Sequence, residues 1–156
     1  MNIELIIVDD SSKDKSIEIV KQLIKSYPGK RIKLYENEKN LGMVGNWNKC
    51  LSLCTGKYIR LICADDRIDS SLIEKEVTIL ESDETLVATS TDSIFVDSNG
   101  KNKGPYKRYK KSGAVFGEEI VRASFAHRDL YGPPLAILFR KSVYDKTGGF
   151  DERFNF

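Results

Sequence analysis

The chain has 156 residues, 40% of them hydrophobic, and its 25 basic and 23 acidic side chains give a net charge of +2. This composition supplies a packed core for about one domain and excludes a wholly disordered chain. The near balance of charge gives no reason to expect a nucleic-acid partner. The sequence shows neither a signal peptide nor an apolar run of about 18 residues, so we expect a cytoplasmic protein, free or peripheral at the inner membrane face.

The three cysteines, Cys50, Cys54 and Cys63, are an odd number and therefore a poor framework for disulfides. Cys50 and Cys54 are four residues apart and would share one face of a helix. Because no further Cys or His lies at the spacing of a metal site, we predict that all three are thiols buried in the core.

The apolar residues along the chain alternate between strand-like and helix-like patterns. Apolar runs predict strands at residues 5–8, 32–35, 58–63, 86–90, 93–96 and 135–139. Apolar positions three and four apart predict helices at 17–27, 44–54, 72–80 and 116–126. Ser70 or Ser71 would cap the third helix. The alternation favours an α/β fold, an open three-layer sheet with helices on both faces and right-handed crossovers.

One segment, residues 101–113, has a biased composition. It contains six basic side chains and no acidic one, together with Tyr106 and Tyr109. We interpret it as a mobile surface loop. The alternative is a flap that helps to hold an anionic ligand.

Two predicted strands lead into a pair of acidic residues, Asp9-Asp10 and Asp65-Asp66. Ligands of open α/β sheets bind outside the carboxyl ends of the strands, where these pairs would lie. Neighbouring carboxylates repel each other, and Mg²⁺ or Mn²⁺ would remove that cost, with phosphate oxygens of a ligand completing the coordination. Because there is no glycine-rich phosphate loop, a metal rather than a helix N-terminus would neutralise the phosphates.

Each acidic pair also has an interpretation without function. Aspartate is common in loops, and Ser11 or Ser12 with the nearby aspartate would simply cap the first helix. Both pairs lie at the ends of parallel-type strands, however, and together they favour a functional site.

Four motifs in register resemble the glycosyltransferases of family 2, which have the GT-A fold. They are residues 6–12 (I-I-V-D-D-S-S), 40–48 (N-L-G followed by N-W-N), 64–66 (A-D-D) and 148–152 (G-G-F-D-E). The third resembles the DXD-type metal motif of the family, and the fourth resembles the turn before its catalytic helix. The resemblance covers essentially the whole chain. It implies transfer of a sugar from a nucleotide donor to a hydroxyl, with inversion.

The resemblance implies a role for each matched residue. The implied donor-binding residues are Asp9, Asp10, Asn40, Gly42 and Asp65. Asp10 would bind the nucleotide base and Asp65 would contact the ribose. Asp66 would ligate Mn²⁺ or Mg²⁺ on the diphosphate, where the metal would assist the leaving group as a Lewis acid.

The resemblance also implies partners. The donor would be a UDP-sugar, and the acceptor a saccharide or a lipid-linked acceptor. From the family alone we hypothesise a bacterial enzyme of surface polysaccharide synthesis. Trp47 stands where many relatives carry an arginine near the nucleotide, but it lies on the apolar face of its helix and is predicted to pack in the core.

Two parts of the family pattern are missing. The family opens with a central strand of the type V-S-V-I-I-P-x-Y-N, and without it the strands at 5–8 and 58–63 would each have an open edge. Those strands would close up, or another chain, as in a homodimer, would fill the gap, or the domain would be unstable alone. The catalytic base of the family would lie beyond Phe156, so donor binding with little or no transfer is expected from this chain alone.

We therefore predict one partial GT-A domain over residues 1–156. Its nucleotide-sugar-binding half would be 1–97, and a flexible basic loop with an acceptor-side segment would be 98–156. The acceptor-side candidates are His127, the only histidine, and Asp151. The simpler interpretations are a plain loop histidine and, for Asp151 and Glu152, a structural role in the turn.

Two other functions are alternatives. A non-catalytic nucleotide-binding module would bind the same ligand without turnover. Residues 6–11 also resemble the acidic pair of a receiver domain of two-component signalling. In that case Asp65 or Asp66 would have to be the phosphoacceptor, and both lie too far along the chain.

Overall fold

The computed structural model describes residues 2–107, 112–127, 133 and 136–153, within two compact units. The first unit is Met1–Ile59 with Lys141–Phe156, and the second is Arg60–Arg140. The predicted division near residue 97 concerns function rather than compactness, and it stays a prediction.

The described residues form seven strands and five helices. The strands are β1 (Glu4–Asp9), β2 (Arg31–Glu36), β3 (Tyr58–Arg60), β4 (Ala88–Ser90), β5 (Ser93–Val96), β6 (Asn102–Tyr106) and β7 (Ile137–Arg140). The helices are α1 (Ser16–Ser26), α2 (Gly42–Leu53), α3 (Leu72–Ser82), α4 (Gly117–His127) and α5 (Lys141–Thr147). Among the described residues, no helix combines the length and the apolar character that crossing a membrane requires.

In the first unit, β1 and β2 pair in parallel as a two-stranded sheet, from Glu4 opposite Arg31 to Asp9 opposite Glu36. This pairing confirms the parallel arrangement that the unbroken apolar run of β1 predicts. Helix α2 packs on β1, and its Leu51 is buried. Helix α1 packs on β2 without burying any residue completely.

The edge of β1 that faces away from β2 is lined by side chains of α2. Strand carbonyls alternate in direction, and the last carbonyl of β1 faces β2 because it accepts the N–H of Asn37 at 2.9 Å. On the other edge, Nδ2 of Asn46 donates to the carbonyl of Val8 at 3.4 Å, and the thiol of Cys50 lies 3.9 Å from the carbonyl of Ile6. The two donors lie one helical turn apart on α2, and the two acceptor carbonyls lie two residues apart on β1. Both spacings are about 6 Å, so each donor can reach one carbonyl. Side chains of α2 therefore satisfy carbonyls on an edge that the sequence predicts to be open.

In the second unit, two antiparallel pairs form. Strand β4 pairs with β7, from Ala88 opposite Phe139 to Ser90 opposite Ile137, and β5 pairs with β6. Leu80 of α3 and Leu138 of β7 are buried in the core of this unit.

A buried ion pair connects Arg60, the last residue of β3, to α3. The guanidinium of Arg60 contacts the carboxylate of Glu76, and the two side chains are 3% and 2% exposed. The hydroxyl of Thr89 donates to the second oxygen of this carboxylate at 3.0 Å. Because a buried charge without its partner is strongly destabilising, this contact fixes the chain just before it enters Asp65-Asp66.

The composition of residues 101–113 predicts a loop throughout, but part of this segment is a strand. Asn102–Tyr106 forms β6, and a tight turn joins it to β5, in which the carboxylate of Asp97 accepts the N–H groups of Asn99 and Lys101 at 3.0 and 2.9 Å. The prediction was wrong because a strand on a hairpin is selected by its partner and its turn, not by its own composition. Residues 108–111 lie outside the described residues.

Three predicted strands are shorter or shifted in the structure. The predicted strand at 58–63 is only Tyr58–Arg60, and the chain turns a few residues further on, where the N–H of Asp66 donates to the carbonyl of Cys63 at 3.1 Å. The strand predicted at 86–90 begins at Ala88, and β7 begins two residues later than predicted. Helix α5 was not predicted, since its seven residues are too few to show a helical period.

The predicted helix caps differ from the observed ones. Lys15 lies at the N-cap of α1, so neither Ser11 nor Ser12 caps it. Ser71 does lie at the N-cap of α3, but its hydroxyl donates to Oδ1 of Asp69 at 2.5 Å and makes no capping bond.

Candidate functional site

Asp10 lies just beyond β1 and accepts hydrogen bonds from two later segments. Its Oδ1 accepts Nδ2 of Asn37 at 2.8 Å and the backbone N–H of Leu41 at 2.8 Å. The same Nδ2 also donates to Oδ1 of Asn46 at 3.0 Å. We call Asp10, Asn37, Leu41 and Asn46 the Asp10 cluster. It forms because the carboxyl ends of β1 and β2 are adjacent in a parallel pair and α2 begins shortly after β2.

Asn37 is the buried centre of the Asp10 cluster. The residue is 7% exposed, and its Nδ2 makes two hydrogen bonds. Its Oδ1 is buried and has no hydrogen-bond partner among the described residues. A buried acceptor without a donor costs about 1–3 kcal/mol, and the packing of the cluster offsets this cost in the folded protein.

Asn40 and Gly42 form the turn at the start of α2. Oδ1 of Asn40 accepts the N–H of Gly42 at 2.8 Å, and Gly42 has a φ of 74°, which glycine adopts without strain. Between them, the N–H of Leu41 points to Asp10. The positive end of the α2 dipole therefore faces a carboxylate. Asn40 and Gly42 are exposed beside the Asp10 cluster, where a ligand can reach them.

The side chain of Asp9, the last residue of β1, accepts a hydrogen bond within the loop at residues 9–12, outside the Asp10 cluster. Its Oδ2 accepts the N–H of Ser12 at 2.9 Å. Between them, Ser11 has a φ of 64°, a left-handed conformation that costs a residue with a side chain about 1–2 kcal/mol. Backbone of this kind is concentrated at ligand-binding loops.

In the second unit, the side chains of Cys63, Asp65 and Asp66 bring one ligand atom each within 4.8 Å of one another. We call these three residues the acidic cluster. Two carboxylates suit Mg²⁺ or Mn²⁺, and a thiolate adds affinity for softer ions. The sequence predicts both aspartates, but Cys63 was missed as their neighbour because only the turn at 63–66 brings its thiol to the carboxylates.

The pKa values in the acidic cluster reflect crowded negative charge. Burial raises the pKa of the Asp66 carboxyl and the charge of Asp65 raises it further, while a hydrogen bond from the Cys63 backbone lowers it in part. Burial, and then both carboxylates, raise the pKa of the Cys63 thiol. A divalent cation would relieve this repulsion, so the residues present fit such an ion.

The three cysteines are free and half-buried, where the sequence predicts buried thiols. The thiol of Cys54 donates to the carbonyl of Cys50 at 3.3 Å, one turn earlier in α2. For Cys50 and Cys54 the prediction was wrong in degree because α2 lies along the edge of the β1–β2 pair, so that this side of the helix is only partly covered. Cys63 lies instead in the turn of the acidic cluster.

The turn at residues 148–152 follows α5 and contacts α2. Oδ1 of Asn48 accepts the N–H of Phe150 at 2.7 Å, and Nδ2 donates to the Phe150 carbonyl at 2.9 Å and to Oε1 of Glu152 at 3.2 Å. The rings of Trp47 and Phe150 are 5.4 Å apart. Trp47 is half-buried against this turn and is not the core side chain that its helical position predicts.

Asp151 makes its contacts within the same turn. The guanidinium of Arg153 donates to both of its carboxylate oxygens, the shortest contact being 2.6 Å, and holds the pKa of Asp151 below its usual range. A carboxylate with a lowered pKa is a weaker base. His127 ends α4, but its side chain lies outside what the structure describes. The acceptor-side roles of both residues stay predictions.

Two asparagines of the Asp10 cluster were missed as site residues by sequence reasoning. Asn37 had one usable signal, a polar side chain directly after an apolar strand, at the edge where Asp10 also lies. Asn46 and Asn48 were noted only as parts of a motif. Two residues apart on a helix, they point in nearly opposite directions, so that each contacts a different segment.

The family model of glycosyl transferase family 2 matches residues 1–147. The putative glycosyltransferase EpsE of Bacillus subtilis is 36% identical over 139 residues, which are 84% of this chain and 49% of that protein. The cholesterol galactosyltransferase of Borreliella burgdorferi is 30% identical over 126 residues, 79% of this chain and 34% of that protein. The chain thus spans less than half the length of these relatives.

Solved structures share the fold. S. aureus TarS 1–349 superposes with a TM-score of 0.71 at 18% identity, over 99% of this chain and 43% of TarS. The mannosyltransferase PcManGT from Pyrobaculum calidifontis, in complex with GDP-Man and Mn²⁺, gives 0.64 at 18% identity, over 95% of this chain and 38% of that protein. These likenesses confirm the predicted α/β fold as a partial domain of the GT-A type. With the match over residues 1–147, they show that the chain belongs to glycosyl transferase family 2.

Proposed function

We propose that this protein transfers a sugar from a UDP-sugar to a hydroxyl of a saccharide or lipid-linked acceptor. The matching relatives include glycosyltransferases of which this chain spans less than half the length. The activity of the whole protein is therefore part of this proposal. The observation that carries it is the Asp10 cluster, in which a carboxylate held by the N–H of Leu41 and the amide of Asn37 lies at the carboxyl ends of two parallel strands.

The Asp10 cluster has the chemistry to bind a nucleotide base. Both hydrogen bonds that the described residues make to Asp10 end on Oδ1, so its Oδ2 is the acceptor left for a ligand. The edge of uracil offers an N–H donor between two carbonyl acceptors. That N–H would donate to Oδ2 of Asp10. Asn40 and Gly42 would lie beside the base.

The acidic cluster is the proposed metal site. Asp66 would ligate Mn²⁺ or Mg²⁺, and Asp65 would contact the ribose of the donor. When bound, the ion supplies Lewis-acid stabilisation of the leaving diphosphate. The carboxylates themselves would hold the ion, which would relieve their mutual repulsion. The Mn²⁺ in the complex of PcManGT supports a divalent ion in this fold.

The proposed reaction is a single displacement with inversion. The acceptor oxygen attacks the anomeric carbon, the bond from that carbon to the diphosphate oxygen breaks, and its electron pair leaves with the diphosphate. The hydroxyl proton passes to a base, which typically contributes about 10²–10⁴-fold in rate. We place His127 and Asp151 on the acceptor side and assign neither as the base.

Calorimetric titration of UDP, with and without Mn²⁺, tests the proposal. The wild type should bind UDP more tightly with Mn²⁺. Asp66→Asn should lose the part of the affinity that depends on Mn²⁺, whereas Asp10→Asn should bind weakly in both conditions. Glu84→Gln, an exposed acid of the second unit, is the matched control and should bind as the wild type does.

A second measurement separates an enzyme from a binding module. In a protein that also carries the first strand and the catalytic base of the family, release of UDP from a UDP-sugar supports the transferase, while UDP binding without release favours the non-catalytic module. No binding of any nucleotide by a folded sample would overturn the proposal, and tighter binding of GDP would correct the base.

A further inference from the structure

The side chain of Asn48 attaches the turn at 148–152 to helix α2. Its amide pairs with the backbone of Phe150 as a neighbouring strand would, accepting one hydrogen bond at 2.7 Å and donating another at 2.9 Å. The same Nδ2 reaches Oε1 of Glu152 at 3.2 Å. One side chain thus holds a segment 102 residues further along the chain.

Gly149 and Trp47 pack closely around this contact. A Cβ on Gly149 would lie 2.2 Å from Oδ1 of Asn48 and 2.9 Å from its Cγ, so a side chain there would push the amide away. The neighbouring Gly148 has a φ of 77° and needs glycine for its backbone, whereas Gly149 needs it for this close approach. The ring of Trp47 covers that of Phe150 at 5.4 Å.

The same helix contacts the Asp10 cluster on its other side. Asn46 and Asn48 are two residues apart and therefore about 200° apart around the helix axis. Asn46 bonds to Asn37 and to the carbonyl of Val8, while Asn48 bonds to the turn. Within the first unit, the body of α2 is thus a spacer that sets the distance between the Asp10 cluster and the turn.

We propose that Asn48 is a positioning residue for sugar transfer, one that fixes the turn at 148–152 relative to the Asp10 cluster. The inference rests on the proposed function. The turn carries Asp151, which we place on the acceptor side, and a displacement of about 1 Å in a reacting assembly costs about 10²-fold in rate. Because the contacts of Asn48 are with the turn, the rate of transfer should depend on it and the affinity for the nucleotide should not.

Asn48→Asp, in the protein as its gene encodes it, tests the role. The aspartate keeps the size and the acceptor for the N–H of Phe150. It replaces the donor with an oxygen facing the Phe150 carbonyl and the Glu152 carboxylate, so attraction becomes repulsion. Amide hydrogen exchange at Phe150 should accelerate about tenfold or more, because this contact protects it. The fluorescence of Trp47, the only tryptophan, should change as well.

The kinetic expectation is a split between kcat and KM. The kcat of Asn48→Asp should fall by about 10–10²-fold, while the KM for the UDP-sugar and the Kd for UDP stay within about twofold. Ser52→Ala, at an exposed position of the same helix, is the matched control and should leave every readout unchanged.

Gly149→Ala reaches the same contact from the turn. It should reproduce the loss of kcat with an unchanged KM. In the double variant with Asn48→Ala, the methyl that Gly149→Ala adds meets no amide, so this second substitution should lower kcat no further. This non-additivity would show that the contact between the two positions is responsible. These two variants, Gly149→Ala alone and combined with Asn48→Ala, test the positioning role if Asn48→Asp fails to fold.

Three results would overturn the positioning role. An unchanged kcat with a freed Phe150 amide would show that the position of the turn does not matter. Equal losses in UDP affinity and kcat would show that Asn48 only supports α2. A folded wild type that neither binds UDP nor releases it from a UDP-sugar would remove the proposed function first, and the positioning role with it.

Discussion

Two strands of this chain lead into the same dipeptide, Asp-Asp, and the two pairs have opposite surroundings. Asp9 and Asp10 accept hydrogen bonds from backbone N–H groups and from the amide of Asn37. Asp65 and Asp66 have each other and a thiol as neighbours, and burial with like charge raises the pKa of Asp66. The first pair stabilises the loops around it, whereas the second concentrates negative charge that a cation would balance.

The contrast teaches that a strand-terminal Asp-Asp has no single meaning. Where N–H donors surround a carboxylate, its charge contributes to folding and is available to recognise a ligand donor. Where carboxylates crowd, the charge is costly until an ion binds. Removing one charge from each pair should therefore affect the folded protein in opposite directions.

The broadest effect is expected from Asp10→Asn, because it should lower both the affinity for UDP and the stability of the fold. The neutral side chain weakens two hydrogen bonds and turns an acceptor for the ligand into a donor, so the UDP affinity should fall about 10–10²-fold with or without Mn²⁺. The free energy of unfolding should also fall by about 1–3 kcal/mol. Calorimetry and urea unfolding measure the two effects, with the exposed Glu18→Gln as control. An unchanged free energy of unfolding would show that the two Asp pairs do not differ in their contribution to folding.

Asp66→Asn should act on the ligand and not on the fold. Loss of outer-sphere partners alone weakens metal sites about 10–100-fold, so loss of a direct ligand should weaken Mn²⁺-dependent binding of UDP at least as much. Without metal, the Tm should be unchanged or higher, because a repulsive contact is lost. A clear drop in Tm without metal would mean that Asp66 has a structural role like that of Asp10.

Glu4 extends the comparison as a carboxylate with a full set of donors. Its Oε1 accepts the N–H and the hydroxyl of Thr55 at 2.6 and 2.8 Å, and the N–H of Gly56 at 2.9 Å. Burial raises the pKa of Glu4, but these donors and the charge of Arg31 lower it more, so that it lies below the ordinary 4.5. The stabilisation is therefore complete above pH 4.5 and is lost as the pH falls through the folded-state pKa.

Glu4→Gln should lower the free energy of unfolding at pH 7 by about 1–3 kcal/mol, since the amide keeps one acceptor but loses the charge. The difference from the wild type should shrink as the pH falls below 4.5. Urea unfolding across that range measures it. A difference that stays constant with pH would show that the contact acts through packing and not through the charge.

The smallest effect is expected from Cys63→Ala, which probes the third member of the acidic cluster. Soft ions prefer thiolates and Mn²⁺ prefers oxygen ligands, so Cd²⁺ binding should weaken about tenfold and Mn²⁺ binding less than about threefold. Metal titration by calorimetry compares the two ions. Equal losses for both would place Cys63 in the structure of the turn and not among the metal ligands.

Local patterns along the chain were sufficient for the strands and helices between residues 4 and 53. The apolar run of β1 and the helical spacing of α1 and α2 appear in the structure within one or two residues of their predicted bounds, because a strand or helix period depends on neighbouring residues only. Asp10 and Gly42 were singled out for the same reason, since a motif is also contiguous in sequence, and their roles in binding stay predictions.

Contacts between distant segments decided the rest. The hairpin partner selected β6, and the turn at 63–66 brought Cys63 to the carboxylates. Asn37 became the buried centre of a cluster, and Asn48 reached Phe150, only once strands and helices had packed. Periodicity and motif chemistry are properties of consecutive residues, whereas burial and the direction of a side chain toward another segment exist only in the folded chain, and that is why tertiary structure alone decided them.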